Sequence, residues 1–359
     1  VEGLAVSGRG GFWSGKRVFI TGHTGFKGSW LALMLDALGA EVYGYSLAPA
    51  SPSLYEAAGL VGRFDEIFAD IRDGRELREE LCEFAPDVVF HLAAQPLVRA
   101  SYRDPVATYE TNVMGTVNLL EAVRCSPSVR SCVVVTTDKC YRDMEWEWGY
   151  RETDHLGGAD PYSSSKACAE LVTAAWRSSY LSAAGVLVAT ARAGNVIGGG
   201  DYAEDRLVPD VMRAFANGDA PRLRSPRAVR PWQHVLDPLN GYLTLARRLY
   251  EGDESAARGW NFGPPADGSE CVENVVKRIA ELWGGALYEI AEDHTLHESQ
   301  TLRLDSGRAL QILGWHPILA LSEAIEWTVE WYASVTDSAS ALALTEEQIR
   351  RFADMACEE

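Results

Sequence analysis

No apolar run in this chain reaches the roughly 18 residues a membrane-spanning helix needs. The best candidate, Trp30 to Ala40, is interrupted by Asp36 and reads as a buried helix. Positive charge is also scarce. Lys and Arg number 33 against 51 Asp and Glu, a net charge of −18, which argues against nucleic acid and anionic membranes as partners. An anionic small ligand would therefore need a local island of positive charge. The seven cysteines are odd in number and include no C-x-x-C pair, so the expectation is reduced thiols in a cytoplasm, with neither disulfides nor a metal site. No stretch resembles a cleaved leader, no internal repeat stands out, and the first eleven residues, rich in glycine, read as a loose tail. At 359 residues, 47% hydrophobic and 23% charged, the chain suits one large or two moderate globular domains rather than disorder.

What is present is an alternation of strands and helices. Lys16 to Ile20, Glu41 to Leu47, Arg63 to Asp70, Asp87 to Leu92, Cys132 to Val135 and Gly185 to Ala191 read as strands, several of them continuous apolar runs. Between them lie helical stretches, including Ser29 to Leu38, Gly74 to Phe84 and Thr108 to Arg124. That order predicts an α/β fold with a parallel sheet covered on both faces. After Gly194 the character changes to more Arg, Pro and Gly. We place a first domain over residues 12–194 and a smaller second region over 195–359, with 230–260 returning to the first; Trp232 to Tyr250 has the strand-then-helix pattern such a return needs. The tail from Leu344 to Glu359 reads as a charged helix.

Gly22-x-x-Gly25-x-x-Gly28 lies between the first strand and the first helix. Glycine lets the backbone approach a pyrophosphate, and a helix N-terminus offers free N–H groups, so this placement favours dinucleotide binding over a mere tight turn. His23 and Lys27 either face solvent or, for Lys27, add charge near the phosphates. The acidic residue that usually selects NAD at the end of the second strand is missing near Ser46, so the loop alone does not choose between NAD and NADP. Asp70, beside Ile71, suits an adenine contact or a helix cap equally.

The richest stretch runs from Thr136 to Lys166. Tyr162-x-x-x-Lys166 on a helix puts phenol and ammonium on one face, a turn apart, where the ammonium favours phenolate and makes a base for an alcohol. Thr137, Asp138 and Lys139 add a hydroxyl, an acid and an amine at a strand end. In a continuing strand Asp138 would point away from its two neighbours, so the strand must end there for all three to act together. An unperturbed lysine, pKa ~10.4, is protonated at neutral pH, so Lys139 as a base requires desolvation or nearby positive charge; Asp138 as an acid requires a raised pKa. Either motif alone is more often a solvated turn or a plain helix. Together, behind the glycine loop, they favour catalysis.

Those motifs, with His91-Leu92-Ala93-Ala94-Gln95, resemble the extended short-chain dehydrogenase/reductase family, and Thr137-Asp138-Lys139 is similar to its nucleotide-sugar 4,6-dehydratases. Lys139 stands where relatives acting on other nucleotide sugars usually carry an acid. Trp146-Glu147-Trp148-Gly149-Tyr150 and Arg230-Pro231-Trp232-Gln233-His234-Val235 extend the likeness over residues 12 to 335. The resemblance implies a Rossmann-type doubly wound parallel sheet with a smaller C-terminal nucleotide-sugar-binding region. It implies NAD held by Gly22, Thr24, Gly25, Phe26, Lys27 and Gly28, by Asp70 and Ile71, by Leu92, Ala93, Ala94 and Gln95, and by Asn112, Thr136, Tyr162 and Lys166. It implies that Tyr162 and Lys166 serve C4 oxidation with Thr137 on the 4-oxygen, that Lys139 takes the C5 proton, and that Asp138 protonates the leaving hydroxyl. CDP-glucose is the implied substrate, met by Asn195, Arg206, Leu207, Val208, Arg230 and Asn261, and a homodimer is implied through two helices, one bearing Tyr162. The positive island is Arg222, Arg224, Arg227 and Arg230, four arginines in nine residues. His297 and Glu298 precede the family-like Leu302-Arg303-Leu304-Asp305 without an assignable role. The rivals are a nucleotide-sugar 4-epimerase, which would not need Asp138 and Lys139, and a non-catalytic dinucleotide sensor, which would not need Thr137, Tyr162 and Lys166 in register.

Overall fold

The computed structural model describes residues 11–264, 268–291 and 301–358. The glycine-rich opening up to residue 10, and His297 and Glu298, lie outside the described residues. The strands are β1 (Arg17–Thr21), β2 (Glu41–Ser46), β3 (Asp65–Phe68), β4 (Val88–His91), β5 (Ser131–Val135), β6 (Leu187–Ala193), β7 (Asn195–Ile197), β8 (Arg222–Leu223), β9 (Val229–His234), β10 (Gly259–Phe262), β11 (Ser269–Cys271) and β12 (Glu289–Ile290). The main helices are α1 (Phe26–Ala37), α2 (Leu54–Ala57), α3 (Gly74–Phe84), α4 (Val98–Arg103), α5 (Pro105–Tyr109), α6 (Gly115–Cys125), α7 (Pro161–Trp176), α8 (Leu207–Ala216), α9 (Leu236–Tyr250), α10 (Val272–Leu282), α11 (Leu321–Ser334) and α12 (Ser338–Glu358).

Seven strands form one parallel sheet in the order β3-β2-β1-β4-β5-β6-β10. The order reverses between β1 and β4, which opens a crevice at their carboxyl ends, the usual ligand position in such sheets. Alternate side chains of each strand enter different cores. Val18 and Ile20 of β1 and Val133 and Val135 of β5 pack on one face with α1 and α9. Phe19, Cys132 and Val134 pack on the other with α3 and α6. Both faces are therefore dry, and the strands are continuously apolar for that reason.

The second region has its own core of Val208, Met212, Trp232, Val276 and Ile279 with α11 residues. Its sheet, β11-β9-β7, joins a parallel pair, Asn195↔Trp232, to an antiparallel one, Glu270↔Arg230. The crossing between regions is not where the sequence pattern placed it at its first residues: β9 stays with the second region's sheet, and only α9 and β10 join the large one. The C-terminal helix begins at Ser338, six residues before the expected start, and its Phe352 and Ala353 lie in the same core as α1. Among the described residues no helix is long and apolar enough to cross a membrane.

The return of α9 to the large sheet rests on close packing at Gly241, where an added Cβ would lie 2.4 Å from Cδ1 of the Phe262 ring. Gly241→Ala should therefore destabilise the protein by about 1–3 kcal/mol through overpacking, read as a lower urea midpoint with unchanged slope. An unchanged midpoint would show that the α9–β10 contact is looser than described.

Candidate active site

Both loops of the β1–β4 crevice come together at glycine. A Cβ on Gly22 would lie 2.6 Å from the Ala93 backbone nitrogen, and one on Gly28 would lie 2.0 Å from the Gly22 carbonyl oxygen. Neither position accepts a side chain without moving backbone. Helix α1 starts behind this turn with no side-chain cap and no acid in its first turn, so its N–H groups face the crevice ready for an anion. Thr21 anchors the floor: its Oγ1 meets His91 Nδ1 at 2.7 Å and accepts from Ala93 N at 3.3 Å. His91 bonds Thr116 through its other nitrogen, and burial drops its pKa to about 3, so it is neutral.

A cavity of about 1890 Å³ opens from this crevice. That is roughly twice the upper end of the range for one drug-sized ligand, so it has room for two nucleotide-sized molecules side by side. Gly22, Thr24, Gly25, Phe26, Lys27 and Gly28 line it, as do Asp70 and Ile71, and Leu92, Ala93 and Ala94. Thr136, Thr137, Asp138, Lys139, Tyr162 and Lys166 line it as well. Asn195, Arg206, Leu207, Val208 and Arg230 line it from the second region.

Three expected contacts are spent elsewhere. Asn261 is fully buried, accepts from the Tyr141 hydroxyl at 2.7 Å and donates to the carbonyls of Tyr150 and Asp305, so no substrate contact is left to it. Asn112, within a π-type widening over Glu110–Met114, is held by Gln95 N, Gln95 O and Ser165 Oγ. The Gln95 side chain donates to Thr108 Oγ1 and accepts from Leu97 N. Both brace the loop after β4 instead of lining the cavity. His23 corrects the loop reading too: it faces neither solvent nor phosphate, but lies buried over Gly44, with Nε2 2.8 Å from Glu66. Asp70 is no helix cap, since Asp73 caps α3; its carboxylate is forked onto Arg72 at 2.7 to 3.1 Å. At the end of β2, Ser46 Oγ and Thr24 Oγ1 share a 2.8 Å bond where an acid is often found. Of the four arginines, Arg222, Arg224 and Arg230 line the cavity, whereas Arg227 is exposed away from it.

The catalytic candidates come from two elements. Strand β5 ends at Val135, and Thr137 then caps a 3₁₀ turn over Asp138–Cys140, accepting from Lys139 N at 3.3 Å. The turn breaks the alternation that would have sent Asp138 away. Helix α7 is started by Asp160, which accepts from Ser163 N at 2.9 Å, with Pro161 at its first position. It presents Tyr162 and Lys166 one turn apart, both buried.

Burial sets the protonation of these groups. It raises Asp138 above the usual carboxyl range against the pull of Lys139 and Arg230, and Asp138 Oδ2 has no hydrogen-bond partner while Oδ1 accepts from Thr137 at 3.0 Å. It lowers Lys166 to about 8, and Lys166 Nζ donates to the Val135 carbonyl at 3.2 Å. The Tyr162 phenol is the departure from expectation: burial pushes it up to about 12, with Thr137 and Arg206 pulling down. Burial, helped by Arg206 and Lys166, lowers Lys27 to about 7.

A seven-stranded parallel sheet carrying a glycine crevice, a Tyr-x-x-x-Lys helix and an acid–amine turn defines a short-chain dehydrogenase/reductase scaffold. Residues 19–328 match the family model described as GDP-mannose 4,6 dehydratase, and the chain belongs to that family. It is 50% identical over 328 residues to the CDP-glucose 4,6-dehydratase of Salmonella typhimurium, spanning 89% of this chain and 91% of that one. Among solved structures, a dTDP-glucose 4,6-dehydratase of Streptomyces venezuelae with NAD bound superposes with a TM-score of 0.77 at 25% identity over 88% of this chain and 97% of that one. A UDP-glucose 4-epimerase of Thermus thermophilus in complex with NAD gives 0.77 at 27% identity over 89% and 100%.

Lys27 gives a measurable consequence. Its proton is held less tightly folded, at about 7, than unfolded, at 10.5. The unfolded chain therefore binds more protons in that window and stability rises with pH across it. Lys27→Met should raise the unfolding midpoint of the ligand-free protein most below pH 7, and the gain should fade as pH climbs toward the ordinary lysine value. A gain independent of pH would contradict the buried cation.

Proposed function

We propose that this chain converts CDP-D-glucose to CDP-4-dehydro-6-deoxy-D-glucose and water, with NAD as a cofactor restored in each cycle. The observation that carries the reading is the 3₁₀ turn after β5, which puts Asp138 and Lys139 in the same cavity as Tyr162 and Lys166. A hydride-transfer enzyme needs only the second pair; the first pair is the equipment for losing water. The 50% identity to a CDP-glucose 4,6-dehydratase supports the choice of nucleotide.

The crevice suits a dinucleotide because Gly22 and Gly28 leave backbone exposed where a Cβ would clash, and because α1 begins there uncapped. When bound, NAD would supply the acceptor for the C4 hydride and the donor of the same hydride to C6. Tyr162 takes the proton of the sugar 4-hydroxyl, which its buried phenol can do only with positive charge beside it; Arg206 pulls the phenol down, and Lys166 lies one turn further along the same helix. Thr137 holds the 4-oxygen. A ketone at C4 makes the C5–H acidic, because the electron pair left behind becomes an enolate. Lys139, half-buried on the turn, removes that proton and gives one back to C5 when hydride reaches C6. Asp138, whose proton burial holds more tightly than usual and whose Oδ2 is unpartnered, passes a proton to the departing 6-hydroxyl. Arg230, buried at the cavity wall, and Arg206, Leu207 and Val208, at the start of α8, hold the nucleotide diphosphate. The enzyme works in the cytoplasm as a homodimer.

Incubation with CDP-, dTDP-, GDP- and UDP-hexoses, without added reductant, tests this by mass spectrometry. Loss of one water from CDP-glucose alone is expected. An isomer of unchanged mass would make the chain an epimerase. Lys139→Ala should slow exchange of the C5 proton with solvent by about 10²–10⁴-fold, the usual contribution of a positioned general base; exchange at the parent rate would move the base to another residue.

A further inference from the structure

Helix α7 continues the Tyr162–Lys166 face with a buried carboxylate, Glu170, one turn beyond Lys166. Glu170 accepts four hydrogen bonds: from Thr136 Oγ1, from Thr190 Oγ1 at 2.6 Å, and from Arg192 Nε and Nη2 at 2.9 and 2.7 Å. Both partners of this ion pair are about 4% exposed. The second arm of Arg192, Nη1, donates to the Tyr141 hydroxyl at 2.7 Å, and that hydroxyl donates to Asn261 Oδ1 at 2.7 Å. The Tyr141 ring is stacked on Tyr150 with centroids 5.1 Å apart.

Thr136 and Tyr141 are the residues on either side of Thr137–Cys140. The ion pair therefore grips the turn at both ends: Glu170 holds its entrance, Arg192 holds its exit. The same carboxylate is anchored on the helix that presents Tyr162 and Lys166. Strand β6, next to β5 in the sheet, supplies Thr190 and Arg192, and β10, on the far side of β6, supplies Asn261. The connection is rigid, because a buried carboxylate with a forked arginine has no competing water and only one satisfied geometry. It also explains why Asn261 is unavailable to substrate.

We propose that Glu170, Arg192 and Tyr141 are positioning residues that fix the Thr137–Asp138–Lys139 turn against the Tyr162 helix, so that loss of water keeps pace with oxidation at C4. This rests on the dehydratase reading above. Consistent with it, burial lowers Lys166 and Glu170 opposes that fall, so the same carboxylate also keeps the neighbouring ammonium charged.

The test uses the full chain with bound NAD and the substitutions Tyr141→Phe and Thr136→Val, each removing one grip while keeping shape. For each, kcat, KM for CDP-glucose, NAD affinity, melting temperature and the absorbance of reduced cofactor during turnover are measured. Each variant should lose roughly ten- to a hundredfold in kcat, the scale of an ångström-sized misplacement. KM for CDP-glucose should stay within about twofold for both variants, and NAD affinity within about twofold for Tyr141→Phe, whose ring hydroxyl is committed to Arg192 and Asn261. Reduced cofactor should accumulate in the first turnover, since oxidation then outruns elimination. The double variant should lose less than the product of the two single losses, because both release one turn. A lower melting temperature with parent-like kcat and no reduced cofactor would overturn the proposal in favour of a purely structural network, as would a rise in KM alone. A parent enzyme that leaves CDP-glucose unchanged would overturn the dehydratase reading itself, and this inference with it.

Discussion

Successive side chains of a β-strand point to opposite faces, and a strand that ran on past Val135 would send Asp138 into the sheet's far side while Thr137 and Lys139 faced the crevice. The chain leaves the ladder at Val135 and coils once, from Asp138 to Cys140. Everything distinctive about the site depends on that change of geometry. The glycine crevice, the long cavity and the Tyr162–Lys166 face of α7 would serve any alcohol oxidation. The coil adds an acid and an amine to the same space.

The second condition is dryness. In a chain of net charge −18, the cavity lining collects Lys27, Lys139, Lys166, Arg206 and Arg230. Burial lowers Lys27 and Lys166, with Arg206 and Lys166 adding to the fall at Lys27, while burial without enough compensation raises Asp138. The same desolvation keeps the Tyr162 phenol protonated at about 12, so the proton can be taken up from the sugar only when the surrounding cations are in place. One environment thus prepares an acid that holds its proton more tightly than usual and two lysines, Lys27 and Lys166, that hold theirs loosely.

Much of this was legible because it is local in sequence. The glycine spacing, the Tyr–Lys turn and the strand-end triplet each lie within a few residues, and helix or strand periodicity converts them directly into faces. Lys27 needed only its place in the loop. What was not legible depends on distant partners. Asn261, Asn112 and Gln95 were assigned to ligands, yet their amides are consumed by Tyr141, Ser165 and Thr108, contacts that no spacing reveals. His23 was placed toward solvent, since nothing near it in sequence announces Glu66 across the sheet edge. Glu170 was overlooked although it continues the Tyr162–Lys166 interval by one more turn; a carboxylate at that interval on a buried face was a signal in plain view. The phenol departs from its expected range for a different reason: the cost of burial outweighs the charges beside it.

The central claim is that the turn couples C4 oxidation to loss of water within one active site. CDP-glucose labelled with deuterium at C4 tests it most directly. The account predicts a product lighter by one water that keeps the deuterium, now at C6, because the hydride removed from C4 is the one returned. A product of unchanged mass with the label still at C4, or a dehydrated product from which the label has washed out to solvent, would contradict it.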